Sequence, residues 1–115
     1  MSFETKDSGE RAEYASGMVR DTNVGKARFD LLFPLGIPYE DQFLTRCAEL
    51  MARGAVKYGD RNWEKATSID EVARMQESAA RHFAQWISGA TDEDHAAAVV
   101  FNLLAAESTL TKTVL

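Results

Sequence analysis

Seven consecutive residues, Lys57-Tyr58-Gly59-Asp60-Arg61-Asn62-Trp63, gather two cations, an amide and two aromatic rings. Cations pair with phosphate oxygens, a ring stacks on a base, and an amide hydrogen-bonds a base edge. The same stretch also reads as a connector with Trp63 folded over a core and its charges in water. A second group is Glu77, Arg81 and His82. Glu77 and Arg81 stand four apart, so on a helix they face each other. They form either a surface pair beside a half-buried imidazole, or a set in which His82 meets a phosphate or a metal-bound water. The third group is Asp92-Glu93-Asp94-His95, with Asn102 one heptad beyond His95 and nearly on its face. Carboxylates so close together suit a hard cation such as Mg²⁺, which bridges to substrate phosphates. Acids in a first helical turn also answer the helix dipole without any ligand. Asn102, inside an apolar helix, requires a hydrogen-bond partner from protein or ligand. Cys47 lies on an apolar stripe and reads as packing.

Three helices must hold these groups. Phe43, Cys47, Leu50 and Met51 trace the stripe of a first helix. It is expected to begin at Pro38, which suits a first turn, and to run to about Tyr58 before Gly59. Ser68-Ile69-Asp70-Glu71 has the form of a capping box. Behind it Ile69, Val72, Met75, Ala79, Phe83 and Trp86 make a second stripe, ended by Gly89. Thr91-Asp92-Glu93-Asp94 opens a third helix whose body, Ala96 to Ala106, is apolar nearly all round. Upstream, turn residues dominate, and Phe29 to Phe33 is a strand or an extended arm. The expectation is an all-α fold: one small helical domain over 1–115, with an irregular N-terminal arm (1–37) and a helical core (38–110). Two amphipathic helices of this size cover the apolar third one poorly, so a homodimer or higher oligomer is expected to complete the core.

Composition narrows the function. A chain of 115 residues leaves no room for a second large core. No apolar run approaches the roughly 18–20 residues that cross a bilayer. The charged start MSFETKDSGE lacks the apolar stretch of a secretory signal, so a cytoplasmic protein without membrane partners is expected. One cysteine excludes a disulfide framework or a thiol zinc cluster. A net charge of −5 disfavours duplex nucleic acid as a partner. Glycine-rich phosphate loops, nucleophile elbows and His-x-x-x-His pairs are all missing, which removes P-loop, serine-hydrolase and zincin chemistry.

The order of the segments resembles a family of small, largely phage-encoded proteins, the dATP/dGTP diphosphohydrolase N-terminal-like family, related to MazG-like pyrophosphohydrolases. The resemblance rests on Ser16-Gly17-Met18-Val19-Arg20-Asp21, Gly25 to Leu32, Gly54 to Lys65, Glu77 to His82, Asp92 to His95, and Asn102. It implies a Mg²⁺-dependent enzyme (Mn²⁺ as substitute) that cuts a (d)NTP such as dATP or dGTP into the monophosphate and pyrophosphate. In that reading Glu77, His82 and His95 are catalytic, and Glu77, Glu93 and Asp94 hold the metal. Lys57, Tyr58, Arg61, Asn62, Trp63, Arg81 and Asn102 bind the nucleotide, helped by Arg20, Lys26 and Arg28 of the arm. MazG-type enzymes carry Glu-x-x-Glu pairs, whereas Glu40, Glu49, Glu71, Glu77 and Glu93 offer none. The alternative is therefore a phage protein that binds and sequesters a nucleotide or nucleotide second messenger without turnover. A third reading is a small oligomerisation domain.

Overall fold

The computed structural model describes residues 2–114. Its elements are strands β1 (Arg11–Glu13) and β2 (Val19–Asp21), and helices α1 (Phe43–Tyr58), α2 (Ile69–Ile87) and α3 (His95–Val114), with 3-10 turns at Phe29–Leu32, Tyr39–Asp41 and Asn62–Lys65. The fold is the small, mostly helical one expected. Two compact units divide the chain, one ending at Leu32 and the other starting at Phe33.

The first unit is more regular than its turn-rich sequence suggests. β1 and β2 pair antiparallel with Arg11 opposite Asp21 and Ala12 opposite Arg20. Gly17, at φ 90°, supplies the left-handed residue of the connecting turn, where its N–H donates to the Tyr14 carbonyl at 2.8 Å. Arg11 then clamps Asp7 at 2.8 Å and Asp21 at 2.7 Å. Phe29–Leu32 is a 3-10 turn, neither the strand nor the extended arm that its apolar run suggested, and all four residues are exposed.

In the second unit α1 starts later than Pro38 predicts. Pro38 has ψ 155° and Gln42 ψ 137°, both extended, so a 3-10 turn fills the gap and the α-helix begins at Phe43. The Gln42 amide holds this entry by donating to the Pro34 and Ile37 carbonyls, each at 2.9 Å. The capping box of α2 forms as read: the Glu71 N–H donates to Ser68 Oγ at 3.2 Å, and the Ser68 N–H to Glu71 Oε1 at 3.1 Å. Of the four residues expected to open α3, Asp94 alone caps it, accepting from the Ala97 N–H at 3.2 Å. The helix also runs past its expected end. Thr109, Thr111 and Thr113 donate their hydroxyls to carbonyls one turn back, which satisfies those polar groups within the helix.

The core lies where α3 crosses α2 and α1. Small residues fill it: Ala97, Ala98, Ala105 and Ala106 of α3 against Val72 of α2 and Cys47 of α1. The apolar stripe expected on α2 is only partly its buried face. Ile69, Phe83 and Trp86 stand exposed, and Phe83 and Trp86 pack on one another at 5.9 Å. His82 and Gln85 turn inward in their place. Leu103 and Leu104 of α3 are likewise exposed, so that helix is not buried all round. Its heptad positions His95, Asn102 and Thr109 are buried and polar. Among the described residues no helix is long and apolar enough to cross a membrane.

Candidate functional site

An open cavity of about 970 Å³ in the second unit is walled by the C-terminal half of α1, the turn after it, the middle of α2 and the start of α3. The turn is shaped by its backbone. Gly59 adopts φ 93° and ψ 155°, a region open in practice only to glycine. Arg61 follows at φ 57°, and Asn62–Lys65 continues as a 3-10 turn. This path leaves Lys57, Tyr58, Arg61 and Asn62 exposed at the cavity. Lys57 Nζ sits 5.1 Å from the Tyr58 ring centre, and Arg61 donates to Glu64 at 2.6 Å. Trp63 lines the cavity too while its ring meets Phe101 of α3 edge-on at 6.3 Å. Trp63 thus packs on the core and walls the cavity at once.

Asp92, Glu93 and Asp94 line the same cavity with His82 and Asn102. Asp94 is fully engaged: Arg46 of α1 forks onto it, Nε to Oδ2 at 2.9 Å and Nη2 to Oδ1 at 2.7 Å. That guanidinium holds the Asp94 carboxyl below its ordinary value, against the opposing pull of burial. Asp92 Oδ1 lies 2.7 Å from His95 Nε2, and that bond lowers the Asp92 pKa. The His95 side chain is wholly buried, and its Nδ1 stands 2.9 Å from Nδ1 of His82. Burial pushes the His82 pKa down, so the ring is held towards its neutral form. The Glu93 carboxylate and the ring nitrogens of His82 and His95 all lie within 4.8 Å of one another, close enough to share a metal ion. Asn102 satisfies one amide hydrogen on the Ala98 carbonyl at 2.8 Å.

Lys57, Tyr58, Arg61, Asn62, Trp63, His82, Glu93, Asp94 and Asn102 are thus brought to one cavity, with His95 bonded to His82. Glu77 and Arg81 are not among its lining. They stand on the exposed side of α2, bonded to one another at 3.1 Å, with Glu77 also on Arg74 and Arg81 on Ser78. Their four-residue spacing makes the plain surface pair, and Glu77 is not brought to the metal-capable group. Asp94, expected as a metal ligand, has Arg46 in the place of a cation. Arg20, Lys26 and Arg28 belong to the first unit: Arg20 in β2, Lys26 in a turn closed on Asn23, and Arg28 forked onto Asp30 at 2.6 and 2.8 Å. Two arginines at the site are not among the residues the sequence singles out. Arg53 lines the cavity one helical turn before Lys57, a spacing that should have exposed it. Arg46 carries no local signal, because its partner lies 48 residues away.

The family described as dATP/dGTP diphosphohydrolase, N-terminal, matches residues 16–114. No curated protein and no solved structure matches the chain.

Proposed function

Because the chain belongs to the dATP/dGTP diphosphohydrolase N-terminal family, we infer that it is a cation-dependent nucleotide pyrophosphohydrolase. It would cut a (d)NTP such as dATP or dGTP between the α and β phosphates, releasing the monophosphate and pyrophosphate. One observation carries the reading: a single cavity of nucleotide size holds cations on one group of residues and metal-capable acid and imidazole on another.

Arg53, Lys57 and Arg61 bind the phosphate chain in this scheme, and their charge sets its direction in the cavity. Tyr58 and Trp63 offer faces for the base, and Asn62 and Asn102 the amides for its edge. For the cation the residues present fit. Among the described residues the Glu93 carboxylate accepts no hydrogen bond and pairs with no cation, and it stands beside His82. A bound divalent ion such as Mg²⁺ or Mn²⁺ supplies neutralisation of the phosphoryl oxygens and acidifies water. Asp92 keeps His95 in place, and Arg46 with Asp94 fixes the backbone from which Glu93 projects.

A binder without turnover remains as a second reading, favoured by one observation: the acids Glu77 and Asp94 are spent on arginines. Pyrophosphate release from the four dNTPs with Mg²⁺ or Mn²⁺ separates the two. Release from at least one dNTP supports the enzyme. No release, with calorimetric binding that survives chelator, supports the binder.

A further inference from the structure

We propose that His82, Glu93 and His95 form a two-imidazole, one-carboxylate site that selects a first-row transition-metal ion over Mg²⁺. This deepens the pyrophosphohydrolase reading by naming the metal class, yet the binding itself stands whether or not turnover occurs.

The two Nδ1 atoms already lie 2.9 Å apart. Nitrogens bound side by side to one ion at about 2.0–2.1 Å are about 3 Å apart, so the rings need little rearrangement. The proton arrangement agrees. Asp92 Oδ1, 2.7 Å from His95 Nε2, holds the ring proton on that nitrogen, which leaves His95 Nδ1 with a lone pair aimed at His82. A carboxylate on the outer nitrogen of a ligating histidine is the usual device for fixing its tautomer and orientation. His95 is buried at zero side-chain exposure, so no water reaches Nδ1 in its place. Without an ion the His82 Nδ1–H donates to His95 Nδ1. With an ion the His82 proton moves to its Nε2, and both Nδ1 lone pairs are free to ligate.

Glu93 completes the set from the exposed side, and His82 and Glu93 both face the cavity, where further coordination positions meet solvent or phosphate. Nitrogen donors decide the selectivity. Imidazole suits ions such as Zn²⁺, Cu²⁺, Fe²⁺ and Ni²⁺, whereas Mg²⁺ takes oxygens and gives up its waters reluctantly. Asp94 does not convert the site to an all-oxygen one, because Arg46 occupies both its oxygens.

The test uses the full chain, freed of metal by chelation and dialysis, with no nucleotide present. Co²⁺ is titrated while its visible absorption is read, and Zn²⁺, Mn²⁺ and Mg²⁺ are titrated by calorimetry. One Co²⁺ per chain is expected, with visible bands of nitrogen and oxygen ligation and Zn²⁺ at least 100-fold tighter than Mg²⁺. Glu93→Gln and His82→Gln should each weaken Zn²⁺ by 10-fold or more, and Asp92→Asn by about 10-fold. Because Glu93 is exposed, its variant keeps the wild-type melting curve and the loss reads on the site alone. Mg²⁺ binding as tight as Zn²⁺, or Zn²⁺ affinity unchanged in Glu93→Gln and His82→Gln, overturns the site. A chain that binds Zn²⁺ as expected yet releases no pyrophosphate with Zn²⁺, Mn²⁺ or Mg²⁺ sinks the hydrolase reading and leaves the site standing. Turnover supported by Mg²⁺ in a chain that binds no Co²⁺ does the reverse.

Discussion

The two groups that line the cavity are built by opposite means. The turn Lys57 to Trp63 is positioned by its main chain, through Gly59 at φ 93° and Arg61 at φ 57°, and its polar side chains are exposed with few bonds. The group around Asp92 to His95 is positioned by side chains. Arg46 with Asp94, and Asp92 with His95 and His82, are joined as two sets by bonds of 2.7 to 2.9 Å, part-buried in each. Backbone-held charges can be changed one at a time without disturbing their neighbours. Interlocked ones cannot, so loss of one partner leaves another uncompensated. Function and stability should therefore separate in the first group and run together in the second, with exposed Glu93 the exception.

Glu93→Gln gives the largest expected effect: pyrophosphate release should fall about 100-fold or more, with an unchanged thermal midpoint. A parallel fall in melting temperature would place Glu93 inside the interlocked set. Asp94→Ala comes next, removing the Arg46 fork and the Ala97 cap together, and should cost about 2–3 kcal/mol in urea unfolding. Asp94→Asn should recover the part owed to the cap. The sign with pH follows from the lowered Asp94 pKa. Its contribution is complete above the ordinary 3.8 and is lost as pH falls through the folded value, so wild type and Asn variant should converge in acid. Lys57→Ala should weaken nucleotide binding about 10-fold by calorimetry and leave unfolding unaltered. Glu77→Gln is the smallest, with pyrophosphate release within about twofold and a midpoint within about 2 °C. A collapse of activity there would restore Glu77 to the reaction.

What was legible in the sequence was whatever depends on near neighbours. Ser68 and Glu71 declare the start of α2, and Gly59 and Gly89, both at positive φ, the ends of α1 and α2. The loop cations and Trp63 were found because they are adjacent along the chain. The face of α2 was misread at Phe83 and Trp86, since an apolar residue is as easily left exposed on a unit this small. The hairpin went unseen because three-residue strands carry too little pattern. His82 and His95 each stood out, yet nothing local says that their Nδ1 atoms meet. Arg46 with Asp94, and Lys112 with the Glu64 carbonyl, join residues 48 apart, a distance no spacing rule spans.

That long reach of Arg46 bears on the order in which the molecule assembles. α2 can start on its own box, but the first turn of α3 gains its guanidinium clamp only when a loop of nearly half the chain has closed. Helical signal should therefore rise before the Asp94 clamp forms, a sequence of events that contact separation imposes on the rate. The amide of Ala97, bonded to the clamped Asp94, should then gain its protection from hydrogen exchange only once that clamp is in place. His82 and His95 stand only 13 residues apart, so α2 and α3 can bring the two imidazoles together before that clamp closes, and a partly folded chain already carries the pair.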